Sequence, residues 1–288
     1  MDYVLQDACQ VRITAPVAPD RFLGGEVRVD LSDPAELASL RSAMSVKALP
    51  GYVCACGGDV RFEFLDADDR TLAVVVLHHG ESLRWDGWEG NALLVDGHRI
   101  LHWLKDHDVP GPLRQLEEAQ REEKGRRRAE ADWRAAVPTA LDDLTDRLVA
   151  LAWMGTDASP ELLDELKDRL RIAFPDSVSR VLALLAWFGA GTGRYSGYPV
   201  YEDVPDLLLK DTPIAEIIAG LQDPGADSRH YAGALRHLVG WKSRRKQQRD
   251  IARLPEAVRL RLLNQAHDST DRIPLRRAER WLAPRQAT

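Results

Sequence analysis

Cysteine is scarce in this chain: three residues in 288, an odd number. That excludes a disulfide framework as the basis of the fold and agrees with a reducing compartment. No uninterrupted apolar run approaches the roughly 20 residues that cross a bilayer. The opening stretch MDYVLQDACQVRIT has neither a basic n-region nor an apolar h-region. A soluble, cytoplasmic location without membrane contact is therefore expected. Lysine is scarce as well, 7 residues against 32 Arg, a bias we attribute to a GC-rich bacterial genome. HExxH, Cys-x-x-Cys and GxxxxGK[ST] are all missing, and with them the readiest signatures of a zinc hydrolase, a thiol oxidoreductase and a nucleotide phosphate site. The expectation is a non-enzymatic chain with no cofactor. Hydrophobic residues make up 44% of it, enough for a sizeable core, and the length allows two domains.

A net charge of -6 conceals an asymmetry. Residues 1–110 hold 10 basic and 18 acidic side chains, net -8, whereas residues 229–288 hold 15 basic and 5 acidic, net +10. The stretch Lys242-Ser243-Arg244-Arg245-Lys246, with Arg276 and Arg277 further on, is a candidate nucleic-acid surface. The same charges also suit the solvated face of a helix, or complement the acidic half of the chain.

In the acidic half, apolar residues fall on alternate positions at Cys9, Val11 and Ile13, at Val27, Val29 and Leu31, and at Val60, Phe62 and Phe64, a strand period. Leu72 to Leu77 reads as a buried strand across the acidic turn Asp66 to Asp69, and Leu83 to Trp85 and Ala92 to Val95 extend the sheet through turns at Asp86-Gly87 and Asp96-Gly97. Asp33-Pro34-Ala35-Glu36 sets a cap, an N1 proline and a capping-box glutamate before a helix running to about Met44. Arg99 to His107 forms a second, short helix. The order is β-β-α-β-β-β-β-α, an α+β domain over residues 1–110.

Pro110-Gly111-Pro112 ends that domain. Leu113 to Ala136 has good helix formers but little apolar stripe beyond Ala119, so residues 111–137 read as a charged helical linker. From Pro138 onward helical periodicity is continuous. A proline that can open a helix is followed by a tryptophan near a helix end, at Pro160 and Trp187, Pro213 and Trp241, and Pro255 and Trp281. Each interval fits two amphipathic helices and a turn. On these residues, positions 138–288 resemble a HEAT-like helical repeat, and the resemblance implies a stacked array that presents a surface to a partner. The tryptophans themselves read as wedges between helices.

Between the first two intervals lies AGTGRYSGYPVYEDVPDLLLK. Its glycines and tyrosines suit recognition, since Tyr supplies contact area at small entropic cost. Arg194, Tyr195, Ser196, Tyr198, Tyr201 and Glu202 are the candidate partner-binding residues, and a loop that covers the end of a helix pair is the competing reading. Ser196 is flanked by Arg194 and Tyr198 rather than by glycines, so no nucleophile elbow is present. The remaining cluster is Cys54, Cys56, His78 and His79, accompanied by Asp59, Trp85, Asp86 and Trp88. Two Cys and two His are zinc ligands by type. The spacing argues against a site, because adjacent histidines on a strand point to opposite faces and one of them would turn away. No metal is therefore expected, and a buried Cys pair beneath the sheet is the favoured reading. The function expected from sequence is a scaffold or regulatory protein binding a protein partner through the helical half. Nucleic-acid binding by the basic helices comes second, and a metal-dependent enzyme at the Cys/His cluster third.

Overall fold

Alternating apolar residues draw seven strands into one antiparallel sheet among the described residues, which in this computed structural model are 2–15, 25–192, 199–240, 244–268 and 272–283. The elements are α1 (Asp2–Asp7), β1 (Gln10–Thr14), β2 (Val27–Asp30), α2 (Pro34–Ala43), β3 (Val46–Ala48), β4 (Val60–Leu65), β5 (Thr71–His78), β6 (Ser82–Trp85), β7 (Ala92–Leu94) and α3 (Gly97–Asp106). Across the sheet they run β2-β1-β4-β5-β6-β7-β3. Val11, Ile13, Phe62, Phe64, Val75 and Leu77 are buried together with Leu40 of α2 and Ile100, Trp103 and Leu104 of α3. This is one face of a pleated sheet covered by helices. On β1 and β4, Arg12 and Glu63 stand directly opposite each other and pair at 2.6 Å. The Thr71 hydroxyl also donates to Glu63, and these two partners, Thr71 first, hold the Glu63 carboxyl below its ordinary range.

Asp33 caps α2 as its sequence implies, accepting from the Ala35 amide at 2.8 Å. Glu36 has a different partner: its carboxylate accepts from the Trp103 indole at 2.6 Å and ties α2 to α3. The Asp96-Gly97 pair is a cap rather than a hairpin turn, with Asp96 accepting from the His98 amide at 3.0 Å and opening α3. Two elements went unread in the sequence, α1 and the edge strand β3. Each is short, and β3 buries none of its three residues, so neither carries a periodic signal.

The chain divides into two compact units, Met1–Lys124 and Gly125–Thr288, with the boundary inside α4 (Gly111–Ala135). Leu113 of this helix belongs to the first core and Trp133 to the second. The second unit is all helical. After a 3-10 turn at Thr139–Leu144 come α5 (Thr145–Met154), α6 (Pro160–Ala173) and α7 (Ser177–Ala190), then a 3-10 turn at Val200–Asp203 and α8 (Val204–Leu209). α9 (Ile214–Gln222), α10 (Ser228–Val239), α11 (Arg244–Ala252), α12 (Glu256–His267) and α13 (Arg272–Leu282) follow. The interval from Pro160 to Trp187 holds α6 and α7, and that from Pro255 to Trp281 holds α12 and α13. Pro213 opens the interval of α9 and α10, whose Trp241 lies outside the described residues.

Trp187 is fully buried against Trp133, ring centres 5.3 Å apart. The central crossing joins α7 to α10, where a Cβ on Gly189 would run into the Arg229 carbonyl and one on Gly233 into that of Leu185. Only glycine lets two helix backbones approach so closely. The architecture is thus an α+β unit followed by an all-α unit. Among the described residues no helix is long and apolar enough to cross a membrane.

Candidate metal centre

Strand register and one turn assemble the Cys/His cluster. Val60 of β4 stands opposite Leu77 of β5, and the Asp59 amide donates to the Leu77 carbonyl at 2.7 Å. The residues just before β4 therefore run beside the end of β5, which brings Cys56 to His78. Gly58 permits this with φ +85, because a Cβ there would strike the Val76 side chain. The loop of residues 49–59 is also held by Asn91, which is fully buried. The Asn91 side-chain oxygen accepts from the Cys54 amide at 3.1 Å, and its backbone N–H donates to the Tyr52 carbonyl at 2.8 Å.

The decisive local feature is the turn from β5 to β6. His79 and Gly80 both take positive φ, +55 and +66, and the Glu81 amide closes the turn on the His78 carbonyl at 3.0 Å. That sign pattern belongs to the mirror-image hairpin turns. The strand ends at His78, and the left-handed backbone at His79 carries its ring to the same side as its neighbour's. The expectation that one histidine turns away assumed that the strand continues, and it is corrected here. Cys56 Sγ lies 3.1 Å from Cys54 Sγ, 3.1 Å from His78 Nδ1 and 3.3 Å from His79 Nε2, while Cys54 Sγ lies 3.4 Å from His79 Nε2. The ligand atoms of Cys54, Cys56 and His78 all fall within 4.8 Å of one another.

Cys54, Cys56 and His78 form the compact ligand group, and His79 reaches both sulfurs from its edge without closing on the other three. Zinc with Zn–S of about 2.3 Å and Zn–N of about 2.1 Å makes a ligand cage with edges of about 3.4–3.8 Å. The sulfur–nitrogen contacts come within about half an ångström of that, and the sulfur pair within about 0.7 Å. His78 is only 3% exposed, and its Nε2 is buried with no hydrogen-bond partner. A buried imidazole in that position is held by what its other nitrogen touches, and here that is a thiol sulfur. Burial pushes the His78 pKa down, which favours the neutral form a ligand needs. Cys54 is drawn below the ordinary thiol value, first by hydrogen bonds from Cys56 and then by His79, whereas Cys56 is pushed up by the Cys54 sulfur and by burial. Between them the two sulfurs give up one proton readily and the second reluctantly. A metal would displace the second.

Compared with protein-family models, with curated proteins and with solved structures, the chain matches none. The functional reading therefore rests on the residues themselves.

Of the other candidates, Arg194, Tyr195, Ser196, Tyr198 and Lys242 lie outside the described residues. Tyr201 and Glu202 are inside the helical unit, 4% and 2% exposed, and so are not surface recognition residues. Tyr201 packs on Trp133 with ring centres 4.7 Å apart, and Glu202 pairs with Arg236 at 3.1 Å while accepting from the Thr192 amide. Both were singled out for composition, which does not report burial. Arg245 and Lys246 are exposed on α11, where Arg244 also lies, and the Lys246 ammonium donates to the Lys210 carbonyl at 2.8 Å. Arg276 is exposed and Arg277 half-buried on α13, which packs against α11, so the two basic stretches sit on neighbouring helices. Trp85 and Trp88 meet edge to face at 5.4 Å over the Gly87 turn and contribute no ligand.

Proposed function

We propose that the N-terminal unit is a metal-binding module that holds one zinc ion through Cys54, Cys56, His78 and His79. The observation that carries this is the convergence of two thiols and two imidazoles on Cys56 Sγ, from two segments more than 20 residues apart in sequence. Two thiolates and two neutral imidazoles form a closed all-protein set, the pattern of a zinc site that organises structure, since catalytic sites keep a position open for water. The ion would fasten the irregular loop of residues 49–59 to the β5–β6 turn. Metal analysis of reduced protein grown with zinc should give one ion per chain. Cobalt substitution should give tetrahedral ligand-field bands with sulfur-to-metal charge transfer. Markedly substoichiometric metal in protein with all thiols free, or cobalt without the sulfur band, would defeat the proposal.

Protein binding by the helical unit is a second reading, and one observation favours it. Trp153 at the end of α5 is 78% exposed, with Met154 beside it at 60% and Ile172 of α6 at 81%. Large apolar side chains left in water are a common mark of contact surfaces. Trp153→Ala and Ile172→Ala should then lose a co-purifying partner without moving the thermal transition, and a retained partner would count against it.

A further inference from the structure

We infer that the Cys54–Cys56 pair is an oxidation site at which a hydroperoxide closes a disulfide and expels the metal. The expulsion half rests on the metal-binding reading above. Four observations support the step. The two sulfurs are 3.1 Å apart, about 1 Å beyond the bonded S–S separation of about 2.05 Å. The pair is reachable, because Cys56 and His79 are exposed and His79 also lines a cleft of about 500 Å³ with Lys47, Glu81 and Gln120. No helix or strand runs through residues 49–59, so the backbone around Cys54-Ala55-Cys56 can adjust as the sulfurs close. Both sulfurs belong to one four-ligand set, so one disulfide removes half of it and leaves only His78 and His79.

The step balances. Two zinc-bound thiolates give two electrons to the O–O bond of the peroxide and form the S–S bond. The peroxide oxygens take those electrons with two protons from solvent and leave as two waters, or as water and an alcohol for an organic hydroperoxide, and Zn²⁺ departs into solution. A dithiol reductant reverses the sulfur chemistry and restores the ligand set. The centre would thereby couple oxidant level to the fastening of the 49–59 loop, whose remaining ties are those made by Asn91 and Asp59.

The test uses the full chain carrying Cys9→Ser, which removes the third, exposed cysteine and leaves both site cysteines native. Zinc content is measured first. The zinc-loaded protein is then titrated with hydrogen peroxide while released zinc is followed with a chromogenic chelator, free thiols are counted, and the peptide containing Cys54 and Cys56 is weighed. The expected result is release of the zinc in step with loss of both thiols. That peptide should be lighter by two hydrogens, and a dithiol should restore both thiols and zinc binding. Zinc that stays bound while peroxide is consumed would overturn the inference. So would thiols that pass to sulfinic acid without an S–S bond. A protein that takes up no zinc at the outset sinks the metal-binding reading, and the thiol count and peptide mass still decide whether the disulfide forms.

Discussion

Replacing Cys56 by Ser strikes the atom on which the centre converges. Its sulfur is within 3.3 Å of the Cys54 sulfur and of one nitrogen on each of His78 and His79. Structural zinc sites bind with about 10–16 kcal/mol of apparent free energy. Losing one ligand of four removes about a quarter of that, roughly 2.5–4 kcal/mol, and so weakens zinc binding about 10²–10³-fold. At free zinc about a thousand times the native Kd, the wild-type N-terminal unit gains about 4 kcal/mol of stability from the ion, and the variant gains about 1.4 kcal/mol at the mild end and about 0.4 kcal/mol at the severe end. For a unit of this size each kcal/mol moves Tm by about 3–5 °C. Zinc should therefore raise the wild-type transition by about 12–20 °C and that of Cys56→Ser by only a fraction of this, as read by calorimetry with and without added zinc. Cys9→Ser is the control and should keep the full shift. An undiminished zinc-dependent shift in Cys56→Ser would refute the assignment of Cys56 as a ligand.

Three other outcomes are expected. His79→Asn should cut zinc affinity by about 10²–10³-fold, as for any one ligand of four, yet leave the metal-free Tm nearly unchanged, because Asn tolerates the left-handed backbone that His79 adopts; a large loss of metal-free stability would show that the ring is needed for packing. Gly233→Ala should destabilise the helical unit by about 3 kcal/mol or more, since the new methyl meets the Leu185 carbonyl at the α7–α10 crossing; denaturant unfolding with an unchanged midpoint would contradict that close approach. Tyr201, buried and close to Glu202, has its pKa pushed up to about 12, burial being the larger cause. A raised pKa favours the native state until the unfolded tyrosine ionises near pH 10 and the advantage is gone by about pH 12, so stability should fall by about 2–3 kcal/mol across that window. Tyr201→Phe should flatten this part of the pH–stability curve.

Side-chain pattern alone made much of the fold legible. Strict alternation at Val11 and Ile13 and at Val60, Phe62 and Phe64 has one economical solution, a sheet with one face covered. The Asp33-Pro34 start behaves as its chemistry dictates, and the helical character after Pro138 follows from apolar spacing. Asp96-Gly97 was ambiguous by nature, because the same pair that makes a turn also makes a cap, and only the chain beyond it decides. Glu36 had two possible partners, and the indole of Trp103, 67 residues away, took it. Tyr201 and Glu202 looked like surface because glycine and tyrosine cluster around them, yet burial is set by which helices close over a segment.

The Cys/His cluster divides along the same line. Residue types alone named Cys54, Cys56, His78 and His79 as a possible ligand set, and a signal for the turn was present in His79-Gly80, a positive-φ-tolerant residue before glycine between two apolar runs. What sequence leaves open is the hand of the backbone at His79 and the register of β4 on β5. A right-handed or extended His79 would send its ring to the far face of the sheet, and a slip of one residue would move Cys56 away from His78. Composition and spacing thus determined an α+β unit, an all-α unit and the four candidate side chains. Which of those side chains come within reach of one another was decided by a left-handed turn at His79 and by the register of β4 on β5.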